Sequence, residues 1–282
     1  MQGYTGDQSQ HPVQAVAAEV NSMRTRAISG TVIGIVTIIP GLLGGMWFTS
    51  LILVVVLIAA YEIHAMMAVN QLKPSLITGL SSTVVAFVII RFPTLPYLSA
   101  IVSVLLLGSI AAQMRYRERM PIAEWAIAVA SGAYLGWTGG HLAAVRELDN
   151  GVWWLIMAIG ITWLADSGAY VFGKRFGKHK LAPSLSPKKT WEGYFGGIAV
   201  SLIGGFVVGL VSPLTMIHCL IVSGLVGIFG TLGDLVESMY KRQSNAKDSG
   251  HLIPGHGGIF DRIDSILWAG VIVYYYVILL VH

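Results

Sequence analysis

Residues 233–264 read GDLVESMYKRQSNAKDSGHLIPGHGGIFDRID, at the junction of two apolar runs, 214–240 and 263–281. Five of the chain's 14 acidic residues and four of its 18 Lys and Arg fall in these 32 positions. The flanking runs are long enough to cross a bilayer, which takes roughly 20 mainly apolar residues. The segment between them is too polar to follow. That alternation sets the fold class: an all-α, polytopic integral membrane protein.

The rest of the chain repeats the pattern. Of 282 residues, 55% are hydrophobic and 11% charged, against about a quarter charged in soluble domains. Mean hydropathy is +0.70. Apolar runs fall at about 27–45, 48–69, 75–91, 96–114, 121–141, 152–173, 193–211, 214–240 and 263–281, which predicts about nine transmembrane helices. Residues 1–22 are polar and Gln-rich and read as a flexible tail. Residues 23–282 read as a single transmembrane helical domain with polar loops at about 174–192 and 241–262. Arg24 and Arg26 before an apolar run mimic a signal peptide, but no A-x-A-type cleavage site follows, so the first span is expected to be retained. The single cysteine, Cys219, excludes an internal disulfide and a Cys-based zinc site.

Basic residues orient the spans, because cytoplasmic loops are rich in Lys and Arg. A cytoplasmic N-terminus places sixteen of the 18 bases inside and leaves only Arg91 and Arg146 outside. Both polar loops then face the cytoplasm, from the cell (inner) membrane if the source is prokaryotic. The pI near 9.2 follows from topology and attraction to anionic membrane lipid, and requires no nucleic acid. Glycines four apart, Gly132/Gly136/Gly140, Gly193/Gly197, Gly205/Gly209 and Gly41/Gly45, read as close helix packing, within the bundle or in a homodimer.

Polar residues inside the greasy chain mark the chemistry. Asp166 lies in the sixth span, where a carboxylate is costly and by default functional, a structural ion pair or helix cap being the alternative. Glu62 and His64 lie near the end of the second. After Asp166 the chain runs through Lys174, Arg175, Lys178, Lys180, Lys188 and Lys189 among several glycines, a composition able to wrap a polyphosphate or simply to set topology. It is not a Walker A loop. In the opening segment Asp234 and Glu237 share a helix face, as do Asp261 and Asp264. Pro254 and the glycines after it allow the loop to fold back and bring the two pairs together. Hard oxygen ligands beside bases suit Mg²⁺, which is held by one or two carboxylates plus substrate phosphates. His251 and His256 lack the companions of a zinc site and read as phosphate contacts, proton-transfer groups or loop supports.

Ser238, Lys241-Arg242, Lys247-Asp248, Pro254-Gly255-His256-Gly257-Gly258, Asp261-Arg262 and Asp264 resemble the phosphatidate cytidylyltransferase (CDP-diacylglycerol synthase) signature over twenty-seven residues. The stretch from Asp166 to Gly193, with D-S-G-A-Y-x-x-G-K-x-x-G-K and S-P-K-K-T-x-E-G, is similar to a second segment of that family. Tyr240 departs from the aliphatic residue or Phe usual there. The resemblance implies formation of CDP-diacylglycerol and pyrophosphate from CTP and phosphatidate with Mg²⁺, and leans towards a homodimer; the sequence leaves open a second or monovalent ion. It implies Asp234 and Asp261 as leading metal ligands, then Asp264 and Asp166. Lys188, Lys189, Lys241, Arg242 and Arg262 would hold the triphosphate and lipid headgroup. Ser186, Lys174, Lys178 and Lys247 would join the substrate site, and Asp248 would bind the ribose, an ion or Lys247. Gly255, Gly257 and Gly258 would let backbone approach phosphate, and His256 is an optional acid or base. A CTP-dependent polyprenol-type lipid kinase and a transporter of an anionic solute are the alternative readings.

Overall fold

The computed structural model describes residues 34–68, 72–115, 120–250, 252 and 257–281. The polar tail, His251, Pro254, Gly255 and His256 lie outside them. Among the described residues nine helices follow in order: α1 Gly34–Leu43, α2 Gly45–Met67, α3 Leu76–Arg91, α4 Leu98–Gln113, α5 Pro121–Val145, α6 Gly151–Phe176, α7 Trp191–Val211, α8 Met216–Gln243 and α9 Phe260–Leu280. Each of the nine expected runs overlaps one. Five of them, α2, α6, α7, α8 and α9, are long and apolar enough to cross a membrane, while α1, α3 and α4 are shorter apolar helices. The protein is an all-α membrane protein.

Local chemistry sets the ends. Ser75 accepts the Thr78 N–H at 3.3 Å to cap α3, and Thr190 accepts the Gly193 N–H at 3.2 Å to cap α7. Pro121 opens α5, where a missing N–H costs nothing. Lys174 and Arg175 in the last turn of α6, and Lys241 and Arg242 in that of α8, complement the negative end of each helix. The helix α6 carries the chain to Phe176, so the first polar loop is shorter than its composition suggests. Within it, β1 Lys180–Ala182 and β2 Ser186–Thr190 form a small antiparallel hairpin, with Lys180 opposite Thr190 and Ala182 opposite Ser186.

Helices α2 to α5 form one group and α6 to α9 another, joined chiefly where α9 packs on α5. The expected glycine stripes are the seams. A Cβ on Gly140 would stand 3.0 Å from the Phe87 carbonyl of α3, and Cβ atoms on Gly193 and Gly197 would stand 2.7 and 2.8 Å from the Ala169 and Ala165 carbonyls of α6. Gly205 meets Ser223 and Cys219 of α8 in the same way. These three stripes are consumed inside the bundle.

Helix α2 ties the two ends of the molecule together. At its start the Gly45 N–H donates to Glu147 at 3.0 Å, and near its end Glu62 holds the second polar loop. Seventeen residues at 1.5 Å each separate these ends by roughly 25 Å.

Candidate active site

Three helices each present a stripe of polar groups to one cleft of about 660 Å³. From α6 come Asp166, Tyr170, Gly173 and Lys174, spaced at three or four residues and therefore on one face. Helix α8 gives Asp234, Glu237 and Lys241, and α9 gives Asp261, Asp264 and Ser265. Lys188 and Lys189 of β2 close the side, and Asp248 and Arg262 line the rim. The hairpin is pinned there by the Arg242 guanidinium, which donates to the Leu185 carbonyl at 3.0 Å.

Acids concentrate at one wall. One carboxylate oxygen from each of Asp234, Glu237 and Asp264 lies within 4.8 Å of the others. Three carboxylates this close repel when ionised unless cations share them. Lys189 Nζ stands 2.5 Å from Asp234, and Lys241 pairs with Glu237 and, at 3.2 Å, with Asp261. Asp166 faces the same charges from α6, within electrostatic reach of Asp234 and Lys189. The donor set is all hard oxygen, the kind that Mg²⁺ takes.

Asp261 is employed differently. Its carboxylate accepts the Ser249 and Gly258 N–H groups, each at 3.0 Å, in addition to Lys241. It draws the ends of the second loop against the first turn of α9. Gly257 holds φ +81°, and a Cβ there would meet Asp261 Oδ2 at 2.7 Å, so glycine serves both backbone and space. Gly258 is equally crowded, by Ser249 and Glu62.

The sequence-predicted residues thus divide. Asp166, Lys174, Lys188, Lys189, Asp234, Lys241, Asp248, Asp261, Arg262 and Asp264 share the cleft. Outside its lining stand Ser186, paired within the hairpin, Lys178, whose N–H donates to Glu192 at 3.1 Å, Arg242, Lys247, Gly257 and Gly258. Gly255 and His256 fall outside the described residues. Glu237 was read only as the partner of Asp234, yet it completes the carboxylate group.

Sequence reasoning missed the part played by Glu62. Only 4% exposed, it accepts the Ser249 hydroxyl at 3.0 Å and the Ile259 and Phe260 N–H groups at 2.9 Å each. Ile259 caps α9 without a side-chain acceptor of its own, so a carboxylate from α2 supplies the cap. The signal was available: Glu62, like Asp166, is an acid in an apolar span.

The model of the cytidylyltransferase family matches residues 24–280. The chain belongs to the cytidylyltransferase family. Among similar proteins of this family, the phosphatidate cytidylyltransferase of Bacillus subtilis (strain 168) is 32% identical over 265 residues, covering 90% of this chain and 97% of its own length. That of Staphylococcus haemolyticus (strain JCSC1435) is 35% identical over 258 residues, covering 87% and 95%. That of Staphylococcus aureus (strain COL) is 36% identical over 265 residues, covering 87% and 95%. The cytidylyltransferase match spans both helix groups, and thus takes in the helices that carry the cleft as well as α2 with its Glu62.

Proposed function

We propose that this chain transfers the cytidylyl group of CTP to phosphatidate, yielding CDP-diacylglycerol and pyrophosphate. The observation that carries the reading is a single cleft in which clustered carboxylates of α8 and α9 face lysines of α6 and β2, at the ends of apolar helices. The membership in the cytidylyltransferase family and the names of the relatives support it.

A lipid phosphate oxygen attacks the α-phosphorus of CTP in line. The bond from that phosphorus to the oxygen bridging it to the β-phosphate breaks, and pyrophosphate departs with the electron pair. The protein's work is to align the two phosphates and neutralise their charge. Lys188 and Lys189 lie on the cleft side that would receive the triphosphate, with Lys174 and Arg262 at the rim. Phosphatidate is already largely dianionic near neutral pH, by the second ionisation near pH 6 of a phosphomonoester. No general base is therefore obligatory, and His256 stays an optional acid or base. Asp234, Glu237 and Asp264 would hold a Mg²⁺, with Asp166 opposite them. When bound, the ion supplies positive charge against the nucleotide phosphates and a template for the in-line geometry. Asp261 acts as the tie that keeps loop and helix in register.

The basic residues favour a multi-pass protein with a cytoplasmic N-terminus and a cleft open to the cytoplasm, where CTP is found. The homodimer implied by the resemblance would have to use a face other than the glycine seams between α3 and α5, α6 and α7, and α7 and α8.

The test is a divalent-ion titration of labelled CTP incorporation into lipid, with and without phosphatidate. CDP-lipid and pyrophosphate are expected only when both substrates and the cation are present. Phospholipid with CDP as products would instead identify a lipid kinase, and solute uptake without CTP turnover would identify a transporter.

A further inference from the structure

Helix α5 turns Gly132, Gly136 and Gly140 toward α3 and presents Tyr134 and Leu142 to α9. There the Trp268 indole N–H donates to the Tyr134 hydroxyl at 2.9 Å. Trp268 follows Asp264 by four residues, one helical turn, and so shares its face of α9. The same indole also touches α8. A Cβ on Gly233 would stand 2.8 Å from Trp268 Cδ1 and 2.8 Å from the Asp264 carbonyl carbon. Cδ1 and Nε1 are bonded neighbours in the indole ring, so the edge of Trp268 that rests on Gly233 is the edge that Tyr134 holds. Gly233 in turn immediately precedes Asp234. Neither Tyr134 nor Trp268 lines the cleft, but the Tyr134 phenol lies within electrostatic reach of Asp264.

We infer that Tyr134 is a positioning residue for the carboxylate group: by holding the Trp268 indole against Gly233, it fixes the approach of α8 to α9 and the spacing of Asp234 and Asp264. The inference rests on the divalent-cation reading given above. Ionised carboxylates at that spacing repel, so packing must keep them within reach of a shared ion. Gly233 lets the two backbones meet, but contact alone resists closer approach and not separation. The hydrogen bond to Tyr134 supplies the directional restraint, because an indole that swings away leaves its N–H without an acceptor in a part-buried seam. Two side chains of the first helix group then hold α9. Glu62 caps its first turn, and Tyr134 grips it two turns further along, on the far side of Asp264.

Direct Mn²⁺ binding tests this, read by electron paramagnetic resonance on the full chain in nanodiscs, without nucleotide or phosphatidate. Asp264→Asn is the reference for a lost ligand. Tyr134→Phe keeps the ring and removes only the acceptor, and its Kd for Mn²⁺ should rise about three- to tenfold, the scale of one lost neutral hydrogen bond. Trp268→Phe should raise it at least as much. The double variant should go no further than Trp268→Phe alone, because both substitutions remove the same bond. Backbone hydrogen exchange should quicken at residues 264–268 in Tyr134→Phe and stay unchanged at Phe87 and Gly140, on the α3 side of α5. An unchanged Kd in Tyr134→Phe, even with a lower melting temperature, would reduce the bond to ordinary packing and overturn the inference. Factors that multiply in the double variant would overturn it too. Wild-type protein that binds no Mn²⁺ would instead refute the cation reading; exchange at 264–268 would still decide whether Tyr134 holds the pair, faster exchange upholding it and unchanged exchange sinking it.

Discussion

The two polar ends of this molecule use the same residue types to opposite purposes. At the far end, Arg146 donates to the Gly41 carbonyl at 2.6 Å and the Leu42 carbonyl at 2.9 Å, capping α1 where the chain breaks. Gly44 at the break holds φ +66° and abuts the Arg146 guanidinium, which leaves no room for a Cβ. Glu147 accepts the Gly45 N–H and pairs with Arg91 at 3.4 Å, and Arg91 donates to Thr49 at 3.0 Å. Charges there are spent on backbone and on each other. In the cleft, three carboxylates crowd within 4.8 Å, a spacing that costs energy unless cations are shared. A cluster with more acids than neighbouring lysines suits the cation proposed above, whereas a cluster that saturates its own backbone is explained by the fold.

Substitutions can break that contrast. The largest effect is expected from Asp234→Asn and Asp264→Asn, each lowering cytidylyl transfer about a thousandfold or more, as for loss of a preorganised charge-stabilising group, with thermal stability changed by no more than about 1 kcal/mol because relieved repulsion offsets the lost Lys189–Asp234 pair. An unfolding scan beside the activity assay checks both halves, and retained activity would remove these residues from the proposed metal site. Asp261→Asn should lose activity and also loosen the loop, seen as faster hydrogen exchange at Ser249 and Gly258. Exchange unchanged there would return Asp261 to a purely chemical role.

Glu62→Ala comes next. It leaves the Ile259 and Phe260 N–H groups without their acceptor, and a buried donor stripped of its partner costs about 1–3 kcal/mol. Activity should fall about tenfold through misplacement of Asp264, with faster exchange at the start of α9. Arg146→Ala should give the smallest change in activity, less than about twofold, while costing about 2 kcal/mol of stability through the lost charge-assisted bonds. A marked fall in turnover from Arg146→Ala would show that the two ends are coupled through α2.

Much of this was legible in the sequence, for identifiable reasons. Apolar runs about one bilayer long gave nine helices, since no other structure satisfies a backbone in lipid. The hairpin at 180–190 went unread because two short strands between helices leave little periodic signal and Pro183 and Pro187 suggested an open loop. Arg91 and Arg146 served in the sequence only to orient the spans, yet both hold the α1–α2 break. Glu62 lies 187 residues from Ser249, a separation at which sequence offers no pairing rule.

By itself, then, the sequence determined which residues could do chemistry: helical spacing put Asp234 with Glu237 and Asp261 with Asp264, and hydropathy put them at the membrane boundary. Only the tertiary structure decided their roles. The close approach of α8 and α9 gathers Asp234, Glu237 and Asp264 into one carboxylate group, while the loop's own N–H groups claim Asp261. A carboxylate's function depends on which donors lie within 3 Å of it, and packing between distant segments settles that.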